Sequence, residues 1–188
     1  MLDAVFVKTY TAPPMDKREI LRYAGCKGEA DERTLALLDR CLLECKDVFS
    51  YRVCYRAYEK EEFFRVFDKE KTTQSRLEKA AKVIVFAATV GLGFDRLILK
   101  YASVAPSKAV ILQAIGAERI EALCDVFCLD VGQNGAGARF SPGYGAFPLQ
   151  TQEIIFKQLD CARNIGVTLN DSLLMVPTKS VTAVVGLE

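Results

Sequence analysis

One stretch limits what this chain can fold into: Val83-Ile84-Val85-Phe86-Ala87-Ala88-Thr89-Val90, eight uncharged residues rich in β-branched side chains. A membrane-spanning helix needs about 20 apolar residues, so this run is too short to cross a bilayer. It reads instead as a central strand buried on both faces. With 188 residues and 51% hydrophobic content, the chain can bury one proper core around that strand. Residues 1–188 are therefore expected to form a single α+β domain.

The segments around the strand alternate in period. Residues 4–7 make a short strand candidate, and Asp16 stands as N-cap of a short helix over 17–23 that stops near Gly25. Asp31 caps a longer helix in which Leu35, Leu38, Leu42 and Cys45 recur at spacings of three and four through to Phe49. Residues 51–58 alternate rings and aliphatics, and residues 63–67 repeat the habit after a charged turn, which predicts two strands in a hairpin. Helical character returns over 74–82, again over 94–103, and in the longest helix from 107 to about 131 behind Pro106. Residues 132–137 form a flexible Gly-rich loop, and two Pro with two Gly forbid regular structure over 139–148. A helix over 150–164 ends at Gly166, and residues 167–169 are expected to pair with a closing strand over 180–187.

Composition removes whole classes of chemistry. There is no histidine, so Ser-His-Asp triads, Cys-His pairs and imidazole metal sites are excluded within this chain. Acid-base work would fall to carboxylates, Lys, Tyr or Cys, or the hard chemistry to a bound cofactor. Lys+Arg 25 against Asp+Glu 24 leaves a net charge of +1, with no broad positive field for nucleic acid or a membrane surface. Seven cysteines, an odd number set mostly in apolar periodic segments, suit a reducing compartment. Residues 1–10 are too short and polar for an export signal, and the expected location is cytoplasmic. Cys41 with Cys45, and Cys124 with Cys128, share helix faces and read as small buried hydrophobes rather than metal ligands.

Three segments carry groups that could hold a ligand. Gly91-Leu92-Gly93 follows a buried strand and opens a helix, as a dinucleotide fingerprint does, but Arg96 occupies the third glycine position and a plain strand-to-helix turn is expected. Glu118, Glu121 and Asp125 form an acidic stripe on the longest helix; such a stripe is ordinarily a solvated face, though its carboxylates would also steer a cationic ligand. The segment Arg139-Phe140-Ser141-Pro142-Gly143-Tyr144-Gly145-Ala146-Phe147-Pro148 joins a guanidinium suited to a carboxylate, glycines that admit close approach, a hydroxyl and a ring.

Arg139, Gly143 and Tyr144 make an Arg-x-x-x-Gly-Tyr pattern that resembles the S-adenosylmethionine signature of the activation domain of cobalamin-dependent methionine synthase. Glu121, within Ile120 to Asp125, lies on the helix that in the family contributes a carboxylate to the same ligand, and residues 169–175 with Pro177 and Ser180 resemble its closing sheet. The resemblance runs from about residue 82 to 187 and more loosely over residues 16–23. It implies a mixed or antiparallel sheet packed with helices. It also implies S-adenosylmethionine held by Glu121, Arg139, Ser141, Gly143, Tyr144 and Ala146, with no metal bound by the chain itself. The implied task is reductive methylation of cob(II)alamin carried by a partner, a cobalamin-dependent methionine synthase or another corrinoid protein, with a flavodoxin-type electron donor. The family's N-terminal Asp ligand and a Tyr beyond its last matched strand have no counterpart here, and a short chain of this kind resembles the separate activation subunits that accompany methionine synthases lacking that domain. Two rivals follow: a module that docks a corrinoid protein without binding S-adenosylmethionine, and a nucleotide-binding enzyme using Gly91 to Gly93.

Overall fold

The structure is a computed structural model and describes residues 4–132 and 135–188. Its frame is a four-stranded sheet made of β1 (Phe6–Tyr10), β2 (Tyr51–Glu59), β3 (Lys82–Thr89) and β6 (Ser180–Leu187). The order is β1-β2-β3-β6 and every neighbouring pair is antiparallel. The uncharged run thus occupies a central strand, where Phe86 stands between Tyr55 on one side and Ala183 on the other.

Alternation along β3 divides the interior. Ile84, Phe86 and Ala88 enter one core, with α1 (Lys17–Tyr23), α2 (Glu32–Cys45), α4 (Leu92–Ala102) and α5 (Pro106–Gly132). Val83, Val85 and Ala87 enter the other, with α3 (Lys60–Phe67), α6 (Thr151–Leu159) and α7 (Cys161–Ile165). Because successive side chains point to opposite faces, an apolar residue at every position is what a strand covered on both sides requires. A small ribbon of β4 (Thr168–Leu169) and β5 (Met175–Val176) stands apart from this sheet.

The caps fall where the sequence places them. Asp16 accepts hydrogen bonds from the N–H groups of Arg18 and Glu19 at 2.8 and 3.3 Å, and Asp31 from Thr34 at 2.8 Å. Each satisfies donors that the first helical turn leaves without a partner.

Six expectations need correction. Strand β1 begins at Phe6 and runs to Tyr10 rather than over 4–7. Helix α2 ends at Cys45, short of Phe49. Residues 63–67 are helical, not a second hairpin strand: Phe63, Phe64 and Phe67 follow a helical spacing and all three are buried. Of the helix expected over 74–82, only a single 3-10 turn forms, Gln74–Leu77. The helix expected over 150–164 breaks at Asp160, whose φ of 43° ends α6 before α7 starts, and β4 pairs with β5 instead of with the closing strand. Within the Gly-rich loop, residues 133 and 134 lie outside the described residues. No helix among the described residues is long and apolar enough to cross a membrane.

Candidate functional site

The outer edge of β6 is partly covered by the segment that follows α5. Gly137 donates its N–H to Gly186 O at 2.9 Å, and Phe140 exchanges backbone hydrogen bonds with Val184 at 3.0 and 2.8 Å. Past Phe140 the chain leaves the edge. Gly143 and Gly145 take φ of 89° and 60°, conformations that cost a side-chain-bearing residue energy, and turn it sharply outward. The turn is closed by Gly143 N–H to Phe147 O at 2.8 Å and by Tyr144 N–H to Ser141 O at 3.2 Å. Phe140 and Phe147, packed edge to face at 5.7 Å, fasten both ends into the second core.

Between this loop, α5 and the edge of β6 lies a cleft of about 570 Å³, within the usual range for small-molecule sites. Its walls include Glu121, Arg139, Ser141, Tyr144, Gln152 and Thr182, and Arg76, Phe140, Pro142, Met175 and Val181 also line it. The Arg139 guanidinium bridges Glu121 and Asp125, which stand one turn apart on α5. Burial opposes its charge, but the hydrogen bond and ion pair with Asp125 and the bond to Glu121 prevail and hold its pKa above the ordinary arginine value. It stays a cation at any accessible pH. A half-buried guanidinium between two carboxylates can give one of its edges to an incoming carboxylate while a freed carboxylate takes an ammonium.

The predicted residues divide. Glu121, Arg139, Ser141 and Tyr144 line the cleft, with the Tyr144 side chain largely exposed at its mouth. Gly143 and Ala146 lie in the same loop but not on the cleft wall, and the Gly143 and Tyr144 N–H groups are spent closing the turn. The acidic stripe also splits. Glu118 is buried and accepts from Arg119 Nε and Nη2, both at 2.5 Å, and from the Asp16 N–H at 3.0 Å, so it anchors the start of α1 rather than facing solvent or ligand. Asp125 was legible as a stripe member; its grip on Arg139 was not. Met175 fell within the closing-sheet resemblance without being read as a site residue, and Gln152 and Thr182 carried no signal, since each sits in an unremarkable position of its own segment.

The glycine turn after β3 is filled by protein. A Cβ on Gly91 would lie 3.0 Å from the Ser50 Cβ, and one on Gly93 would lie 3.1 Å from the Val48 carbonyl oxygen. These glycines admit the chain entering β2, which supports the plain-turn reading. Cys41, Cys45 and Cys124 are buried in the first core as small apolar groups. Among the described residues no three His, Cys, Asp or Glu side chains are grouped so as to hold a metal ion.

Comparison with known proteins gives two findings. Residues 131–187 match the family model described as vitamin B12 dependent methionine synthase, activation domain, a shorter stretch than the sequence resemblance spans. The chain matches a crystal structure of the MetH reactivation domain bound to AdoHcy, with a TM-score of 0.72 over 97% of this chain and 78% of that one at 16% identity. That likeness establishes the fold, and together the two findings bear out the resemblance read from Arg139, Gly143 and Tyr144. No curated protein matches the sequence.

Proposed function

We propose that this chain, which has the fold of the methionine synthase reactivation domain, binds S-adenosylmethionine in the Arg139 cleft and aims its methyl group at a corrinoid carried by a partner protein. The partner is a cobalamin-dependent methionine synthase, and the electron for reductive methylation comes from a separate donor. The observation that carries the reading is the meeting of Arg139 with Glu121 inside a cleft of suitable size.

The donor set fits an amino-acid zwitterion. Arg139 would take the ligand carboxylate on its planar fork, and Glu121 would take the ammonium. Ser141 and the Tyr144 ring would line the remainder, while Gly143 and Ala146 shape the loop that holds them. When bound, S-adenosylmethionine supplies an electrophilic methyl on a sulfonium sulfur. The chain contributes position and exclusion of water, which suits a site whose walls hold no histidine.

One observation favours the rival docking module. Arg139 is already neutralised by Glu121 and Asp125, and Tyr144, Leu149 and Leu174 expose apolar surface. In that reading the ion-pair cluster is a structural clasp and the rim binds protein.

Isothermal titration of the purified chain with S-adenosylmethionine separates the two. The proposal expects saturable binding that Arg139→Ala weakens by about 1.5–3 kcal/mol, the loss of a charge-assisted hydrogen-bonded pair. Absence of binding to the wild type, with a complex forming on a corrinoid-loaded partner, would establish the docking module instead.

A further inference from the structure

Thr182 is 1% exposed, and its hydroxyl has no hydrogen-bond partner among the described residues. Two positions earlier on the same face of β6, the Ser180 hydroxyl pairs with Thr89 Oγ1 at 2.9 Å, whereas Thr182 stands opposite Ala87, which offers its side chain nothing. A buried hydroxyl left unpaired destabilises the fold, and a valine of the same shape would avoid that cost. A hydroxyl at such a position calls for a partner that the described residues do not provide.

Its location suggests which partner. Val181 and Thr182 both line the cleft, yet consecutive strand residues point to opposite faces of a sheet, so the cleft wraps around the edge of β6. On one face stand Glu121 and Arg139; on the other, Gln152 of α6 and Met175 of β5 lie beside Thr182. A ligand gripped at its amino-acid end by Arg139 and Glu121 would cross this edge and bring its far end to Thr182. In S-adenosylmethionine the far end is a nucleoside, whose ribose hydroxyls and ring nitrogens can pair with an alcohol. Rotation about χ1 between staggered wells would turn the hydroxyl toward it.

We infer that Thr182 is the buried polar contact for the nucleoside half of the ligand; this rests on the S-adenosylmethionine reading above. The hydroxyl is then an element of recognition held at the expense of stability in the ligand-free chain.

The test uses Thr182→Val and Thr182→Ser in the full chain, with melting temperature in the absence of ligand and isothermal titration with S-adenosylmethionine. Thr182→Val should melt about 2–4 °C higher without ligand and bind about tenfold more weakly, the equivalent of one lost neutral hydrogen bond. Thr182→Ser should retain most of the affinity. If the wild type binds and the valine variant binds equally well, the inference about Thr182 fails while the cleft reading stands. A valine variant that melts lower than the wild type shows that the hydroxyl has a structural partner, and this too overturns the inference. If the wild type itself gives no binding heat, the ligand reading fails and takes this inference with it.

Discussion

Arg139 and Glu121, 18 positions apart in the chain, form an ion pair that ties the loop beside β6 to helix α5, with Asp125 on the other side of the guanidinium. The cleft is therefore bounded by a group that the protein already balances. Ligand capture at this point would be an exchange of one set of ion pairs for another, in which geometry matters more than charge.

Arg139→Lys tests that statement. Lysine keeps the charge but has no planar fork to reach two partners at once. S-adenosylmethionine affinity should fall about tenfold, or about 1.4 kcal/mol, with little change in melting temperature because the side chain is partly exposed. Calorimetry that finds lysine equivalent to arginine would remove bidentate recognition from the account.

Glu118→Ala should be among the most damaging single changes. Arg119 is 1% exposed, pairs with Glu118 and donates to Pro13 O and Pro14 O at 2.6 and 2.7 Å. Removing the carboxylate leaves that buried guanidinium without its counter-ion, beside carbonyl dipoles and the Tyr51 hydroxyl, and frees the Asp16 N–H, for a cost of about 3–5 kcal/mol in urea unfolding. Ligand affinity of the folded fraction should be unchanged, since Glu118 does not border the cleft.

Asp68 predicts an acid limb to the stability curve. Burial raises its pKa, but four hydrogen bonds from the N–H and hydroxyl groups of Thr72 and Thr73, at 2.8 to 2.9 Å, outweigh burial and hold it below the ordinary 3.8. A depressed folded-state pKa contributes stability above the unfolded value and loses it as pH falls through the folded one. Asp68→Asn should thus cost about 1–3 kcal/mol at neutral pH. The gap to wild type should narrow below pH 3.8, as seen in melting temperatures recorded down the acid range. A gap independent of pH would show that the carboxylate charge plays no part.

Gly116→Ala probes the α4–α5 contact. A Cβ there would lie 2.4 Å from Phe94 Cε1 and 2.9 Å from Lys179 Cγ. Overpacking of about 1–3 kcal/mol should exceed the gain of about 1 kcal/mol in helix propensity. Net destabilisation in urea is expected, and a stabilised variant would mean that Phe94 has room to turn aside.

What the amino-acid order determined by itself was local. The double-sided burial of β3, the capped start of α1, the length of α5 and the irregular loop around Gly143 follow from alternation, capping side chains and backbone preference within a few residues. The Arg139, Gly143 and Tyr144 pattern pointed to the family for the same reason, since three groups close in sequence share one loop. Tertiary structure decided the rest. Phe63, Phe64 and Phe67 became a helix because the second core accepts all three rings from one helical face, although the segment alone reads equally as a strand. Glu118 and Glu121, three residues apart on one helix, came to opposite uses, one sealed against Arg119 and one facing the cleft. Ser180 and Thr182 carry similar hydroxyls on the same face of β6, and among the described residues the first has a partner and the second has none. Which polar group is paired depends on side chains brought from distant parts of the chain, and no periodicity or propensity within a segment contains that information.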